Sequence, residues 1–268
     1  MQNSVENMLK SPENKATSSD RLVSDGIGKK MVSIADIDYQ QTQVVHVDSK
    51  TLLNNRVIAA VDDDPRADVF RILRTKVLQR MRSNNANVLA LTGPTAGIGK
   101  SLVTVNLAVS IAMDSNYSVL LVDMDLRRPS IQQYFGLTPQ FGLSDYCVDN
   151  KPIADLLINP GIKSLVILPA GKPTRRSSEL LSTTKMLNLV AELKDRYPNR
   201  IIIIDLPPLL ATDDAMTVMP SVDACILVAA EGQTTQDELE RSLRLIDEKK
   251  YLGAILNKSA EPQIDSYY

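Results

Sequence analysis

The residues with the clearest capacity for chemistry stand in the segment GPTAGIGKS, residues 93–101. A short apolar run at 88–91 precedes this segment, and an apolar helical stretch at 102–113 follows it. A strand, a glycine-rich loop, Gly-Lys-Ser and a helix, in this order, form the context of a phosphate-binding P-loop. In such a loop Lys100 reaches the β- and γ-phosphates of a nucleotide, and the Ser101 hydroxyl reaches Mg²⁺.

The match is to a relaxed form of the P-loop pattern, because Pro94 stands where the strict form requires glycine. Gly-Lys-Ser alone is a common triplet, so an ordinary helix N-terminus after a turn is the alternative interpretation. Two acidic motifs later in the chain favour the nucleotide site over that alternative.

The first acidic motif reads DMDLRRP and follows a predicted strand at 118–122. Ligands of open parallel sheets bind beyond the carboxyl ends of the strands, which places Asp123 and Asp125 beside the P-loop if the two strands are neighbours. A carboxylate there orders Mg²⁺-bound water or accepts the proton of an attacking hydroxyl. The alternative is a cluster of acids that only caps the next turn.

The second acidic motif is RIIIID at 200–205, followed by Leu-Pro-Pro. A wholly apolar strand is covered on both faces of its sheet, and an acid at its end is where a P-loop enzyme holds Mg²⁺. Asp205 is therefore a candidate metal-assisting residue. Asn257 ends the last predicted strand, where its amide either contacts a nucleotide base or only forms a turn.

Strands and helices that alternate along the chain must position these motifs. We predict strands at 88–91, 118–122, 164–168, 200–205, 224–228 and 252–256, and helices at 68–82, 102–113 and 184–197. A further helix begins with a capping box of Thr235 and Glu238, and its expected core face is Leu239, Leu243 and Ile246. This alternation predicts an α/β fold with a doubly wound, mostly parallel sheet.

The chain divides into three predicted parts. Residues 1–50 are polar with scattered apolar side chains and predict a flexible N-terminal tail or linker, part of which, within 31–47, has strand-forming residues that could dock. Residues 51–260 form the P-loop domain. Residues 261–268 form a polar C-terminal tail that carries Tyr267 and Tyr268.

Composition excludes several classes of function. The net charge of −2 provides no basic field for nucleic acid, and the single histidine, His46, excludes a histidine-rich metal site. Cys147 and Cys225 lack metal-ligand spacing, which predicts free thiols in a reducing cytosol. No apolar run approaches the roughly 18 residues of a membrane span, and the N-terminus has no apolar signal region, so we expect a cytoplasmic protein.

The segments GPTAGIGKS, LLVDMDLRRPS and IIIIDLPP resemble the Walker A, A′ and B motifs of bacterial tyrosine kinases, the autokinases of exopolysaccharide and capsule export. The resemblance runs from about Asp64 to the C-terminus and includes GLSDY, SSELL and DLPPLLATDDA. It implies a P-loop NTPase fold of the deviant Walker type and the use of ATP and Mg²⁺. It also implies phosphoryl transfer to Tyr267 and Tyr268 of a neighbouring subunit, although such kinases usually end in a longer tyrosine cluster.

The resemblance also implies roles for individual residues. Asp123 activates the tyrosine hydroxyl, Asp125 supports the metal site, and Lys100 and Asp205 complete the catalytic set. The implied metal ligands are Ser101, Asp123 and Asp205. The implied nucleotide-binding residues are Gly97, Ile98, Gly99, Lys100, Ser101, Leu102, Arg127 and Asn257.

Asp68, Arg71 and Arg74 stand at helical spacing, and a solvated intrahelical ion pair is one interpretation of them. They also line up with a Glu-x-x-Arg-x-x-Arg helix that mediates ring-like self-association in the resembling family, with Asp in place of Glu. The resemblance further implies a membrane-embedded polysaccharide chain-length or co-polymerase protein as partner. Such a partner recruits the kinase to the inner face of the cell membrane.

Two other functions fit the P-loop and Asp205. One is a regulatory or positioning ATPase of the partition or septum-site type, which hydrolyses ATP without tyrosine transfer. Such ATPases usually carry an extra lysine early in the P-loop, and this chain has none between Val88 and Gly99. The other is a degenerate scaffold without turnover, against which the intact Lys100 and Ser101 argue.

Overall fold

The structure, a computed structural model, describes residues 42–61, 64–114, 116–196 and 200–260. Most of the predicted N-terminal tail and the whole tail at 261–268, with Tyr267 and Tyr268, lie outside the described residues. Within the described ranges, none of the helices combines the length and the apolar character that a membrane span requires.

The described strands form one eight-stranded sheet. In chain order they are β1 (Gln43–Val44), β2 (Val88–Thr92), β3 (Ser118–Asp123), β4 (Ile158–Asn159), β5 (Leu165–Leu168), β6 (Arg200–Asp205), β7 (Ala224–Ala230) and β8 (Tyr251–Asn257). Their order across the sheet is β1-β4-β5-β3-β6-β2-β7-β8, and only the β4–β5 pair is antiparallel in the described part. The predicted mostly parallel sheet is therefore confirmed.

Helices cover both faces of this sheet. In the described ranges they are α1 (Ser49–Asn54), α2 (Ala67–Ser83), α3 (Lys100–Ala112), α4 (Ile131–Tyr134), α5 (Leu143–Asp149), α6 (Ser177–Leu181), α7 (Thr184–Arg196), α8 (Asp214–Val218) and α9 (Gln236–Leu243). Val77 of α2 and Leu107 of α3 pack in the core of one face, and Leu189 of α7 packs in the other. Because β2, β3, β6 and β7 are covered on both faces, all their residues are buried.

The register of the central strands decides where the acidic motifs lie. Strand β6 pairs with β2 on one side and with β3 on the other. Asp205 at the end of β6 aligns with Leu91 of β2 and with Asp123 of β3. Since the P-loop follows β2, parallel pairing brings the loop and both acidic motifs to one edge of the sheet.

The folded domain begins before the predicted boundary at residue 50. Strand β1 pairs with β4, and the N–H groups of Val45 and Val47 donate to the carbonyls of Asn159 (2.8 Å) and Pro160 (3.3 Å). Val45 and Val47 also pack against the apolar core. Residues 43–50 are therefore part of the domain.

The core face predicted for α9 needs one correction. Ile246 is buried and Leu239 packs against the core as expected, whereas Leu243 is exposed. Ser242 takes the buried position, and its hydroxyl donates to the Glu238 carbonyl at 2.8 Å. Helix α9 ends at Leu243, so Ile246 lies beyond the helix and does not share a helical face with Leu239 and Leu243.

Candidate functional site

The loop between β2 and α3 has backbone conformations that glycine permits. Gly97 and Gly99 have positive φ angles of 80° and 85°, and α3 begins at the next residue, Lys100. Turns of this kind make anion-binding concavities from backbone N–H groups, and the N-terminus of a helix adds its positive dipole end. The loop is therefore suited to a phosphate.

The end of β8 holds this loop from outside. Asn257 Nδ2 donates to the Ile98 carbonyl at 2.9 Å, and Lys258 Nζ donates to the Gly97 carbonyl at 2.7 Å. A Cβ atom at Gly99 would lie 2.1 Å from Asn257 Nδ2. The Asn257 amide, for which a nucleotide base contact and a turn were the two predicted roles, thus contacts the P-loop backbone, and a side chain at 99 would require this amide to move.

Asp205 is fully buried and gathers three side-chain donors. Lys100 Nζ lies 3.2 Å from its Oδ1, and Ser101 Oγ donates to its Oδ2 at 2.5 Å. Thr104 Oγ1 donates to Oδ1 at 3.0 Å. The structure therefore brings the predicted residues Lys100, Ser101 and Asp205 together, and these donors offset the cost of burying the carboxylate.

Asp123 ends β3 opposite Asp205 and is also fully buried. Its carboxylate accepts hydrogen bonds from the N–H groups of Asp125 (3.1 Å), Ser130 (3.0 Å) and Ile131 (3.1 Å). Burial and the nearby Asp205 carboxylate raise the pKa of Asp123 to about 7. Through the three backbone hydrogen bonds, Asp123 fixes the loop that follows β3.

A cavity of about 560 Å³ opens beside these groups. Its lining residues are Thr95, Ala96, Gly97, Gly99, Lys100, Ser101, Asp125, Arg127, Arg128, Tyr134, Pro207, Pro208, Ala211 and Thr212. Asp125 is the acid of this lining, and its Oδ2 lies 3.9 Å from Lys100 Nζ. Burial raises the pKa of Asp125. Of the two acids in the first motif, Asp125 is thus the one that faces the cavity.

Arg127 at the cavity is held by an ion pair with a buried acid. Its Nε donates to Asp214 Oδ2 at 2.8 Å, and its Nη2 lies 3.4 Å from Asp214 Oδ1. Ser177 Oγ donates to the same Oδ2 at 2.6 Å, and Ser178 Oγ donates to Asp213 Oδ2 at 2.7 Å. These contacts join the loop after β3 to the first turns of α6 and α8.

Several residues of the site were not predicted from the sequence. Thr104 lies one helical turn after Lys100, and that spacing could have indicated it. Asp214 and Ser177 lie in the segments DLPPLLATDDA and SSELL, for whose individual residues no role was predicted. Thr212 Oγ1 is buried at the cavity wall and has no hydrogen-bond partner among the described residues.

The donors at this site fit a magnesium nucleotide better than an isolated metal ion. In the part of the chain that the structure describes, no three histidine, cysteine or acidic side chains are arranged to hold a metal. Mg²⁺ in nucleotide sites usually takes one or two protein ligands and completes its shell with phosphate oxygens and water. Ser101 Oγ beside Asp205 matches that pattern.

The predicted self-association residues lie on α2. Asp68 and Arg71 form an ion pair of 2.6 Å at the surface, with side-chain exposures of 64% and 41%. Arg74 turns inward, and its Nη1 donates to the Ser110 carbonyl of α3 at 2.9 Å. Arg74 thus joins two helices of one chain, whereas Asp68 and Arg71 remain at the surface.

Comparison with known proteins agrees with this geometry. The ParA family model, described as NUBPL iron-transfer P-loop NTPase, matches residues 84–260. Tyrosine-protein kinase etk of Escherichia coli strain K12 is 33% identical over 202 residues, which are 74% of this chain and 27% of that protein. The chain thus spans about a quarter of the length of several curated relatives, etk among them.

Solved structures show the same relationship. The BceF tyrosine kinase domain superposes with a TM-score of 0.67 at 30% identity, over 81% of this chain and 91% of that domain. The septum site-determining protein MinD from Pyrococcus horikoshii OT3, complexed with Mg-ADP, has a TM-score of 0.53 at 23% identity, over 65% of this chain and 72% of that one. That second similarity concerns the fold alone.

Proposed function

The chain belongs to the ParA-type P-loop NTPases and to the bacterial tyrosine kinases, and from this premise we propose that it is an ATP-dependent protein-tyrosine autokinase. One observation carries the proposal. Asp125 lies at the cavity wall 3.9 Å from Lys100, on the same side of the sheet as Ser101 and Asp205. A phosphate-binding cation and a proton-accepting carboxylate therefore meet at one cavity.

In the proposed reaction, the hydroxyl oxygen of Tyr267 or Tyr268 from a second copy attacks the γ-phosphorus of ATP. The new O–P bond forms while the bond from the γ-phosphorus to the bridging oxygen of ADP breaks. The tyrosine proton passes to Asp125, and Lys100 neutralises charge on the phosphates. Ser101 and Asp205 would hold Mg²⁺, which when bound would neutralise further charge on the phosphates.

The family resemblance implies that Asp123 accepts the tyrosine proton. We instead assign the proton-accepting role to Asp125 and a positioning role to Asp123. Both carboxylate oxygens of Asp123 accept backbone N–H groups, and its side chain is fully buried. Asp125 faces the cavity, where a general base can reach the hydroxyl of a substrate, and burial raises the pKa of its carboxyl.

The nucleotide phosphates bind to the loop of residues 97–102 in this proposal. The positive φ angles of Gly97 and Gly99 and the start of α3 at Lys100 support it. Arg127 contributes positive charge at the cavity, and Asn257 supports the loop from behind through the Ile98 carbonyl.

Transfer between copies requires self-association, for which we propose a ring-like homo-oligomer with the Asp68–Arg71 pair at its interface. The surface position of that pair supports this assignment. We further propose that a membrane-embedded polysaccharide chain-length protein recruits the kinase to the inner face of the membrane. The role of the kinase is then to regulate exopolysaccharide or capsule polymerisation and export.

Mass spectrometry of the full chain after incubation with Mg²⁺-ATP tests the proposed activity. We expect phosphate on Tyr267 or Tyr268, and its loss in a Tyr267→Phe/Tyr268→Phe variant that still binds ATP. Phosphate on Tyr251, Tyr146 or Tyr134 would move the acceptor to that residue. ADP release without protein-bound phosphate, even with the partner's cytoplasmic segment present, would favour a positioning ATPase.

A further inference from the structure

Five basic residues stand on two loops beside the cavity, and together they form what is termed here the basic rim: Arg127, Arg128, Lys172, Arg175 and Arg176. Arg127 and Arg128 line the cavity itself. Lys172, Arg175 and Arg176 are exposed on the loop between β5 and α6. A cluster of one charge sign at the mouth of a cleft raises the local concentration of oppositely charged ligands.

Hydrogen bonds connect the loop between β5 and α6 to the loop after β3, on each side of the pair Arg175-Arg176. Before the pair, the Thr174 N–H donates to the Leu126 carbonyl at 2.9 Å. After the pair, Ser177 Oγ donates to the same Asp214 oxygen that accepts from Arg127 Nε, at 2.6 Å and 2.8 Å. The two arginines therefore lie between two fixed points at the edge of the cavity.

Neighbouring acids leave the basic rim with a positive surplus. Among the described residues, no carboxylate forms an ion pair with four of its members, Arg128, Lys172, Arg175 and Arg176. The acids that act on Arg127 are Asp214, Asp213 and Glu179. With Asp125 at the cavity wall they make four carboxylates against the five basic residues of the rim, which leaves one positive charge in excess.

We propose that the basic rim binds the acidic C-terminal segment of a second copy, residues 261–268, and so selects tyrosines that acidic residues precede. This inference rests on the proposed kinase function and specifies how that site recognises its substrate. The segment EPQIDSYY contains Glu261 and Asp265 and no basic residue. Its charge is thus complementary to the rim.

The spacing within the segment suits this arrangement. An extended chain advances about 3.3–3.6 Å per residue, which puts Asp265 about 7 Å and Glu261 about 20 Å before Tyr267. Since Arg127 and Arg128 belong to both the cavity and the rim, a tyrosine in the cavity keeps Asp265 within reach of these arginines.

Peptide phosphorylation in trans tests the inference. The enzyme is the full chain with Tyr267→Phe and Tyr268→Phe, so that only added peptide is labelled. One peptide has the sequence of residues 258–268, and the other has the same sequence with Glu261→Gln and Asp265→Asn. We expect a KM for the acidic peptide about 3- to 30-fold below that for the neutral peptide, as two exposed charge contacts allow.

Matched enzyme variants locate the effect. We expect Arg175→Ser/Arg176→Ser to raise the KM for the acidic peptide by a similar factor and to leave kcat and the KM for ATP unchanged. The control Arg241→Ser/Arg244→Ser removes the same charge from the exposed side of α9 and from the residue that follows it, and should change neither peptide's KM. Higher ionic strength should reduce the preference for the acidic peptide, because exposed charges are screened.

The alternatives give different results. Equal KM values for both peptides, with transfer intact, would overturn the inference and leave the kinase function standing. An increased KM for ATP in the Arg175→Ser/Arg176→Ser variant would assign the arginines to the nucleotide. If the same variant kept its KM for the acidic peptide but no longer sedimented with phosphatidylserine vesicles, the basic rim would be assigned to a membrane surface. Transfer to neither peptide would contradict the proposed function and the inference together.

Discussion

At the scale of single residues, the site is a cluster of buried charges around Lys100. Its ammonium lies 3.2 Å from Asp205 and 3.9 Å from Asp125, and the three side chains are 8%, 0% and 10% exposed. Buried ions of this kind depend on their partners, because removing one partner leaves an uncompensated charge. A substitution of Lys100 therefore acts on the two acids as well as on the phosphate contact that we propose.

We expect Lys100→Met to lower phosphotyrosine formation about 100- to 1000-fold, because one preorganised donor to the phosphates is lost. Methionine has a similar unbranched length, so the domain should remain folded. Phosphate incorporation from labelled ATP measures the first effect, and circular dichroism measures the second. Undiminished phosphotyrosine in the folded variant would contradict the assignment of the site.

Gly97→Ala and Gly99→Ala separate backbone strain from crowding in the P-loop. Both positions have positive φ, for which a side chain costs about 1–2 kcal/mol. A Cβ at 97 meets nothing within 4 Å, whereas a Cβ at 99 lies 2.1 Å from Asn257 Nδ2. We expect urea denaturation to show a larger loss of unfolding free energy for Gly99→Ala. Equal losses would indicate that Asn257 moves aside without cost.

At the scale of elements, α6, α8 and the loop after β3 are joined through one buried carboxylate. Asp214 is fully buried and accepts from Arg127 and Ser177. None of these three elements is long enough to be stable alone, since isolated helices shorter than about 12 residues are marginal in water. Their arrangement therefore depends on contacts of this kind.

Asp214→Asn should destabilise the domain by about 2 kcal/mol, because the amide replaces a charged group that accepts hydrogen bonds from Arg127 and Ser177. Asp213→Asn is the matched control on the preceding residue. Its loss should be smaller because Asp213 is exposed and its carboxylate accepts, among the described side chains, from Ser178. Thermal unfolding of both variants measures the difference. Equal destabilisation would contradict a special role for the buried acid.

At the scale of the whole molecule, the N-terminal edge of the sheet depends on residues that composition alone assigns to a tail. Strand β1 adds to β4, and Asp48 caps α1 by accepting from the Thr51 N–H at 2.8 Å. Leu52 of α1 is then buried in the core. The segment before residue 51 thus contributes both pairing and a helix cap.

A chain that begins at residue 51 should be less stable than one that begins at residue 42. The loss of two backbone hydrogen bonds and of the cap should lower Tm by roughly 5 °C. Differential scanning calorimetry of the two truncated proteins measures the difference. Identical Tm values would support the boundary at residue 50 that the sequence predicts.

The sequence by itself was sufficient to locate the P-loop and to predict the order of the main strands and helices. Lys100, Ser101 and Asp205 were identified because each belongs to a short motif next to an apolar strand. Glycine conformations, apolar runs and capping residues are local signals, so they can be recognised without knowing the fold. The predicted α2, β3, β6 and β8 accordingly match the structure closely.

Tertiary structure alone decided the contacts between distant segments. Arg127 and Asp214 are 87 residues apart in the chain, and only the packing of α8 against the loop after β3 joins them. Asp123 and Asp125 are the same residue type in the same motif. Burial and backbone N–H donors hold Asp123 behind the sheet edge, whereas Asp125 faces the cavity. Strand β1 also depends on a partner far along the chain, since it pairs with β4. Such contacts follow from register and burial, which local residue patterns do not specify.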